Sequence, residues 1–158
     1  MGPVRLWVLS AHLRRRGHRR LALAVKKLNS FVYHNSLAPG TVFSPDVRFG
    51  HHGFGTMIHS NVTIGKGVQI GHNVTIAVNA KTGTEQRIEI EDGVHIGSNS
   101  VVLAPGDRSL RIGAGARIGA GALVVRDVPA GATVISPPSQ VLEGREAVEA
   151  AEALGDEL

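Results

Sequence analysis

The sequence predicts a mainly β protein, a parallel β-helix of about four to five turns preceded by a short α-helical segment. Aliphatic residues recur every six positions through the middle of the chain. The 158 residues include 20 glycines, and aromatic residues make up only 4%. A core of small aliphatic side chains with frequent tight turns is typical of a coil of repeated short strands.

A period of six residues fits neither an α-helix nor an alternating strand. Each flat side of a β-helix takes one six-residue unit, so three units, about 18 residues, complete one turn. The aliphatic residue of each unit points inward and stacks on its equivalent one turn away. The inward positions are Ile58, Ile64, Ile70, Ile76, Ile90, Ile96, Val102, Ile112, Ile118 and Val124, accompanied by Val62, Val68, Val74, Ala116 and Ala122.

The period is interrupted at three places. Three extra residues lie within 49–58, two within 76–90 and four within 102–112. A β-helix accepts insertions as loops at its corners, and such loops commonly carry functional residues.

The two ends of the chain differ from the repeat and from each other. Apolar residues recur at helical spacing from residue 4 to residue 33, with a break at Gly17, which predicts two short helices. Eight arginines and lysines precede the first acidic residue, Asp46, whereas the last 20 residues hold six acidic residues and one arginine. We divide the chain into a basic helical head (1–35), a β-helix domain (36–138) and an acidic tail (139–158).

The basic head offers a contact for an anionic partner such as a membrane surface or an acidic carrier protein, although a solvated helix face carries the same charges. Few aromatic residues interleave with these cations, so nucleic acid is not an expected partner. The apolar run near Trp7 is too short for a signal peptide or a membrane span, and a cytoplasmic location is expected. We expect the head to pack against the end of a trimer of such coils, because its apolar residues recur at helical spacing and give it a face to bury: Leu6, Leu9, Leu13, Leu21, Val25, Leu28 and Val32.

The repeat region resembles the bacterial hexapeptide-repeat acyltransferases, in particular the serine acetyltransferase-like and polysaccharide O-acetyltransferase branch. The resemblance is carried by IGKGVQIGHNVTIA, IEDGVHIG and IGAGARIGAGALVVRDVPAGATV. It implies a left-handed coil, a homotrimer with each active site between two subunits, and acetyl-CoA or another acyl-CoA as donor. The implied acceptor is a small hydroxyl compound: an amino acid or, alternatively, a sugar, polysaccharide or natural-product intermediate.

The resemblance places a general base in the first interruption, GHHGFGTM. Transfer to a hydroxyl group needs a base that removes its proton as the oxygen attacks the thioester carbonyl, and a neutral imidazole suits this task. Counting back from Ile58 and Ile64 selects His52, whereas counting forward from Pro39 selects His51. We take His52 as the base and His51 as the second choice, and we expect a backbone amide of 53–55 to stabilise the oxyanion. The alternative is that these two histidines only cap backbone groups of a corner loop.

Two positions depart from the serine acetyltransferase pattern. The aspartate that orients the base in that family corresponds to Ser36 or its neighbour, which leaves Asp46 or a backbone carbonyl as the orienting group. The second active-site histidine of the family corresponds to Arg87. A guanidinium binds carboxylate or phosphate but is not a base, so Arg87 predicts an anionic acceptor and disfavours a specialist for free serine. A solvated Arg87 paired with Glu85 or Glu89 is the alternative.

The resemblance also implies the positions that bind coenzyme A. Main-chain groups one turn apart hold the pantetheine in the similar sugar acetyltransferases, and they correspond to Ser98 and Ala120. These residues are 22 apart, which is one turn of about 18 plus the four inserted residues. Arg126 corresponds to the residue that meets the nucleotide phosphates, with pairing to Asp127 or to the acidic tail as the alternative. Lys81 is a second phosphate contact.

The other histidines of the repeat, His59, His72 and His95, fall on outward positions. His59 and His72 are candidates to line the cleft between subunits, and His59 is a candidate acceptor contact. A γ-class carbonic anhydrase remains a minor alternative, although the histidine spacing does not reproduce its zinc ligands. Another alternative is a structural β-helix that has no catalytic activity. With no cysteine in the chain, thiolate metal sites are excluded, and no metal is expected.

Overall fold

Three parallel β-sheets form the sides of the coil, as the period of six predicts. The computed structural model describes residues 2–79 and 85–137. Sheet 1 contains β1 (Ser36–Leu37), β4 (Met57–Ile58), β7 (Thr75–Val78), β10 (Val101–Ala104) and β13 (Leu123–Val124). Sheet 2 contains β2 (Val42–Phe43), β5 (Val62–Ile64), β8 (Ile88–Ile90) and β11 (Leu110–Ile112). Sheet 3 contains β3 (Arg48–Phe49), β6 (Gln69–Ile70), β9 (His95–Ile96), β12 (Arg117–Ile118) and β14 (Thr133–Val134).

The chain visits the sheets in the order 1, 2, 3, and it completes between four and five turns in the described residues. We name the corners by the sheets that they join: 1–2, 2–3 and 3–1. Neighbouring strands within each sheet are parallel and one turn apart, which confirms the predicted parallel β-helix.

The inward positions of the repeat form the core, and all ten predicted aliphatic residues are at most 3% exposed. The strand register places like residues on each other: Ile58 pairs with Ile76, Ile76 with Val102, and Val102 with Val124. Burying one such side chain stabilises the fold by about 1.5–3 kcal/mol. The core therefore consists of stacks of side chains that run along the axis of the coil. Each side chain is shielded by its equivalents on the two neighbouring turns.

The corners are tight enough to demand small residues. A Cβ at Gly71 would lie 2.6 Å from the backbone nitrogen of Ser98 on the next turn. No side chain fits there without moving the backbone, which explains why glycine ends the strand at this corner.

Two helices precede the coil: α1 (Pro3–Arg15) and α2 (Arg19–Tyr33). The break between them falls at Gly17, which adopts a φ of 84°. Trp7 of α1 stacks on Phe43 with 3.7 Å between ring centroids, and its Nε1 donates a hydrogen bond to the carbonyl oxygen of Ala38 at 2.8 Å. Helix α1 thus covers the end of the coil at its first turn. Among the described residues, no helix is long and apolar enough to cross a membrane.

Most of the apolar positions of the head are not buried within a single chain, and the packing of the head against the end of a trimer stays a prediction. Only Leu6 is buried; Leu13 and Val25 are half-buried, and Leu9, Leu21, Leu28 and Val32 are exposed. The reason is that α2 contacts α1 through Ala22, which is small, and Asn29, which is polar. The hydroxyl of Ser10 donates to the carbonyl oxygen of Ala22 at 2.8 Å, and Asn29 Nδ2 donates to that of Pro3 at 3.1 Å. The larger apolar side chains of α2 consequently point away from the contact.

The structure bears on the predicted division of the chain only in part. Helix α2 ends at Tyr33, β1 begins at Ser36, and the last strand ends at Val134. The predicted acidic tail, 139–158, lies outside the described residues.

Candidate active site

The 3–1 corner repeats one backbone contact on every turn. At each level, the N–H of a corner residue donates to the carbonyl oxygen of a residue on the preceding turn, and these contacts keep the corners in register. The pairs are Gly55 to His34 at 2.8 Å, Asn73 to Phe54 at 2.7 Å, Asn99 to His72 at 3.0 Å and Gly121 to Ser98 at 2.9 Å.

The first interruption adds three residues to this corner, and the contacts identify them as His51, His52 and Gly53. Phe54 already occupies the regular corner position that His72 takes on the next turn. On the other side of the insertion, Gly50 is still in register, because a Cβ there would lie 3.6 Å from the Cα of Gly71. The coil therefore continues undisturbed on both sides of the inserted loop.

All three inserted residues adopt left-handed backbone conformations, with φ of 47° at His51, 58° at His52 and 68° at Gly53. Each non-glycine residue in this region costs about 1–2 kcal/mol, although histidine tolerates it better than most. Consecutive strained residues of this kind are typical of functional sites. The strain turns two exposed imidazoles out from the corner.

The two imidazoles have different neighbours. The His51 ring meets the His72 ring edge to face, with 4.9 Å between centroids, and His72 Nδ1 lies 2.9 Å from the hydroxyl oxygen of Ser98. The His52 ring lies 5.8 Å from the ring of Tyr33, at the end of α2. His51 is thus the first member of a polar row along the 3–1 corner, and His52 faces the helical head.

Ser98 and Ala120, the predicted pantetheine positions, lie on this same corner. They are on successive turns, and the N–H of Gly121, next to Ala120, donates to the carbonyl oxygen of Ser98. The structure therefore brings together His51, His52, Ser98 and Ala120 on one edge. His72, a predicted cleft residue, joins them.

The remaining predicted site residues are on a different edge of the same chain. His59, Arg87 and Arg126 are exposed at the 1–2 corner, across the width of sheet 1 from the histidine pair. Lys81 lies outside the described residues. A single chain does not bring these cations to the imidazoles.

Arg87 is held mainly by backbone contacts. Its N–H donates to the hydroxyl oxygen of Ser109 at 3.1 Å, and its Nε donates to the carbonyl oxygen of Glu85 at 3.5 Å. Within residues 2–79 and 85–137, the one ion pair joins Arg111 to Glu91, and this pairing holds the pKa of Glu91 below its usual range. Arg87 therefore forms no ion pair with Glu85 or Glu89, and Arg126 forms none with Asp127. The alternative that pairs Arg126 with the acidic tail lies outside the described residues.

Asp46 does not orient either histidine, which corrects one expectation. It lies at the 2–3 corner, where its Oδ2 accepts the N–H of Gly67 at 3.0 Å. A hydrogen bond with Ser44 is the main reason that the pKa of Asp46 is lowered.

The expected oxyanion donors of 53–55 are also largely engaged. The N–H of Phe54 donates to the carbonyl oxygen of His51 at 3.2 Å, and the N–H of Gly55 donates to that of His34 at 2.8 Å. Two of the three amides in the loop are therefore satisfied within the chain.

The sequence interpretation missed Asn35. This residue is buried beside Ser36, at the level where the orienting carboxylate is absent, and neither polar atom of its amide has a partner in the described residues. Buried amides are almost always paired in native proteins. The sequence does show a polar residue one position before Ser36. It could not show that this residue is buried, because Asn35 lies outside the regular repeat.

The described residues contain no group of three or more histidine, cysteine, aspartate or glutamate side chains that could hold a metal ion.

The chain is similar to several acetyltransferases. It is 34% identical over 134 residues to a serine acetyltransferase of Mycobacterium tuberculosis, covering 85% of this chain and 56% of the relative. It is 40% identical over 81 residues to a 2,3,4,5-tetrahydropyridine-2,6-dicarboxylate N-acetyltransferase of Staphylococcus aureus, covering 51% of this chain and 32% of the relative. The chain thus spans about half or less of the length of these relatives. No protein-family model matches it.

Solved structures give the same picture. Soybean serine acetyltransferase complexed with serine superposes with a TM-score of 0.77 at 29% identity, over 89% of this chain and 56% of that one. Serine acetyltransferase of Brucella abortus in complex with coenzyme A superposes with a TM-score of 0.76 at 22% identity, over 87% and 53%. At that lower identity the likeness shows the fold alone.

The left-handed loop generates a prediction about stability. His52→Gly should leave the free energy of unfolding within about 1 kcal/mol of the parent, because glycine adopts positive φ without steric cost. His52→Val should lower it by about 1–2 kcal/mol, because a β-branched residue is strained there. His18→Val is the control, since His18 is exposed with a φ of −80° and its side chain makes no capping hydrogen bond. Urea unfolding measures all three, and equal losses for the two valine variants would contradict the loop conformation.

Proposed function

We propose that this chain, which belongs to the hexapeptide-repeat left-handed β-helix acyltransferases and is homologous to the serine acetyltransferases, transfers an acetyl group from acetyl-CoA to the hydroxyl group of a small acceptor. The observation that carries the proposal is the inserted His51–His52–Gly53 loop. It projects two imidazoles at the corner that also holds Ser98 and Ala120.

The reaction follows from the chemistry of an imidazole beside a thioester. His52, as a neutral base, removes the proton of the acceptor hydroxyl while the oxygen attacks the acetyl carbonyl carbon. The tetrahedral intermediate collapses as the carbon–sulfur bond breaks, and the proton returns to the departing thiolate. Direct transfer needs no acyl-enzyme, and the chain has no cysteine to form a thioester.

The donor is supported by the shape of the 3–1 corner. Ser98 and Ala120 carry small side chains on successive turns, so a pantetheine chain can approach the backbone there. In this arrangement the thioester end points along the corner toward His51 and His52. The nucleotide phosphates need cations, and Arg126 is our proposed contact, with Lys81 as a second.

Serine is the acceptor that the relatives favour, contrary to the expectation drawn from Arg87 that a free-serine specialist is disfavoured. The two observations are compatible if the guanidinium of Arg87 holds the carboxylate of the amino acid itself. Arg87 then selects a hydroxyl compound that carries an anionic group, and His59, at the same corner, is a further acceptor contact.

A homotrimer completes such a site. The outward row of sheet 1 is apolar or small, whereas the outward rows of sheets 2 and 3 carry charged and polar residues. In sheet 1 the row is Met57, Thr75, Val101 and Leu123; in sheet 2 it includes Glu89 and Arg111; in sheet 3 it includes Arg48, Gln69, His95 and Arg117. An exposed apolar stripe on one face marks a subunit contact.

Sheet 1 is flanked by the 3–1 corner on one side and the 1–2 corner on the other. Cyclic packing of three chains about sheet 1 brings the 1–2 corner of one subunit, with Arg87 and Arg126, beside the 3–1 corner of its neighbour, with His52. This arrangement accounts for the separation of the two groups in a single chain.

The base assignment is tested by comparing two adjacent histidines. His52→Ala should reduce turnover by at least about a hundredfold, as expected for loss of a general base, with little change in coenzyme A affinity. His51→Ala should cost less. Release of free thiol from acetyl-CoA in the presence of L-serine measures both. A larger loss in His51→Ala would assign the base to the residue that contacts His72.

The acceptor is tested with L-serine and ethanolamine, which differ by the carboxylate. The parent should prefer L-serine, and Arg87→Ala should raise the KM for L-serine more than it lowers kcat, because a binding contact is lost. The preference over ethanolamine should shrink in the same variant. Arg108→Ala is the control, as an exposed arginine of the same corner. Saturable transfer to L-serine that is unaffected by Arg87→Ala would refute the role of Arg87, whereas no transfer to L-serine would exclude it as the acceptor.

The trimer is tested through the apolar stripe. The parent should be a trimer by light scattering at micromolar concentration, and Leu123→Glu should shift it toward the monomer, because Leu123 is 63% exposed in the single chain. Gln69→Glu, on the polar face of sheet 3, should leave the trimer intact. A monomeric parent, or equal effects of the two variants, would contradict the assembly.

A further inference from the structure

Helix α2 leaves an apolar surface exposed, which we call the α2 outer face. It consists of Leu21, Leu28, Phe31 and Val32, on the side of the helix away from the contact with α1. Phe31 is 81% exposed and the other three are between 50% and 57% exposed. Four large side chains at helical spacing form a continuous stripe that nothing in the chain's described residues covers.

The α2 outer face is accompanied by positive charge. Lys27 is exposed one turn before Phe31, and Arg20 is exposed at the start of the same helix, beside Leu21 in the chain. Helix α1 ends in Arg14 and Arg15, followed by Arg16. No acidic residue precedes Asp46, and no ion pair involves the described part of the head. These cations are therefore not neutralised within the described chain.

This combination of features identifies the class of partner. A second copy of the head would bring eight cations against eight with no acidic residue between them, which is unfavourable. A nucleic acid would use the cations but not the aliphatic stripe. An anionic bilayer uses both, because apolar side chains enter the boundary between headgroups and acyl chains while Arg and Lys meet the lipid phosphates.

We propose that the α2 outer face docks on an anionic lipid surface, with Phe31 and Leu28 inserted and Arg20 and Lys27 at the headgroups. The head covers the first turn of the coil, so docking leaves the corners of the later turns free. If the chain is a trimer, cyclic symmetry puts three heads at the same end, and three weak contacts act together. The proposal for a single head does not depend on the trimer or on the acetyl transfer.

Flotation with vesicles tests the proposal on the full chain at physiological salt. One set of vesicles is phosphatidylcholine alone, and the other contains phosphatidylglycerol as well. The parent should float with the anionic vesicles and not with the neutral ones, and added salt should weaken the binding. Phe31→Ser combined with Leu28→Ser should reduce binding by at least about tenfold, since two apolar side chains are lost from the lipid contact.

Matched variants separate the two contributions. Arg20→Gln combined with Lys27→Gln should reduce binding to anionic vesicles by about fivefold or more. Ile135→Ser, a 76% exposed apolar residue at the far end of the coil, and Arg117→Gln, on the outer side of sheet 3, should bind as the parent does. All the substituted side chains are exposed, and circular dichroism checks that each variant is folded.

Several results would overturn the proposal. One is that the parent fails to float with anionic vesicles, or that it floats equally well with neutral vesicles. Another is that the control variants lose as much binding as the variants of the α2 outer face. A change of oligomeric state in the Phe31→Ser and Leu28→Ser variant would make the face a contact between copies of the chain. Flotation that appears only after removal of 139–158 would mean that the acidic tail occupies the face.

Discussion

The stacking of inward aliphatic side chains from one turn to the next is the interaction on which the rest of the structure depends. Each turn is too thin to bury its own core, so Ile76 is shielded only because Ile58 and Val102 lie on either side of it. The stacking requires that strands stay in register, and the register in turn requires corners as tight as the one at Gly71. Extra residues can then be accommodated only outside the coil. The His51–His52–Gly53 loop is such an addition, and its position is a consequence of the core.

The sequence was most informative where the repeat holds. All ten aliphatic residues that the period of six predicts to face inward are buried, because they stack on their equivalents one turn away. The position of the first insertion was also predictable. Its conformation was not, because residue propensities do not predict three consecutive residues with left-handed backbone conformations. The comparison of corner contacts shows which three residues are inserted, and no count along the sequence could do so.

The sequence was least informative outside the repeat. Helical spacing predicted two helices but not which side of α2 would be buried, because the contact with α1 uses Ala22 and Asn29, not the aliphatic stripe. Asp46 was a reasonable orienting group by residue type, yet the coil carries it to another corner. Arg87 and His52 are far apart for the same reason, because they occupy different corners of the coil. The site that we propose uses residues of both corners, and it therefore requires the trimeric assembly that we also propose.

We propose that catalysis resides in residues 51–53, which are added to a coil that is complete without them. Deletion of 51–53 tests it directly, because it joins Gly50 to Phe54 and recreates the regular corner formed by Gly71 and His72. Thermal unfolding and acetyl transfer would be measured on the same preparation of the deletion variant. We expect a folded coil of nearly unchanged stability that has lost acetyl transfer. A variant that still transfers acetyl groups, or one that fails to fold, would contradict it.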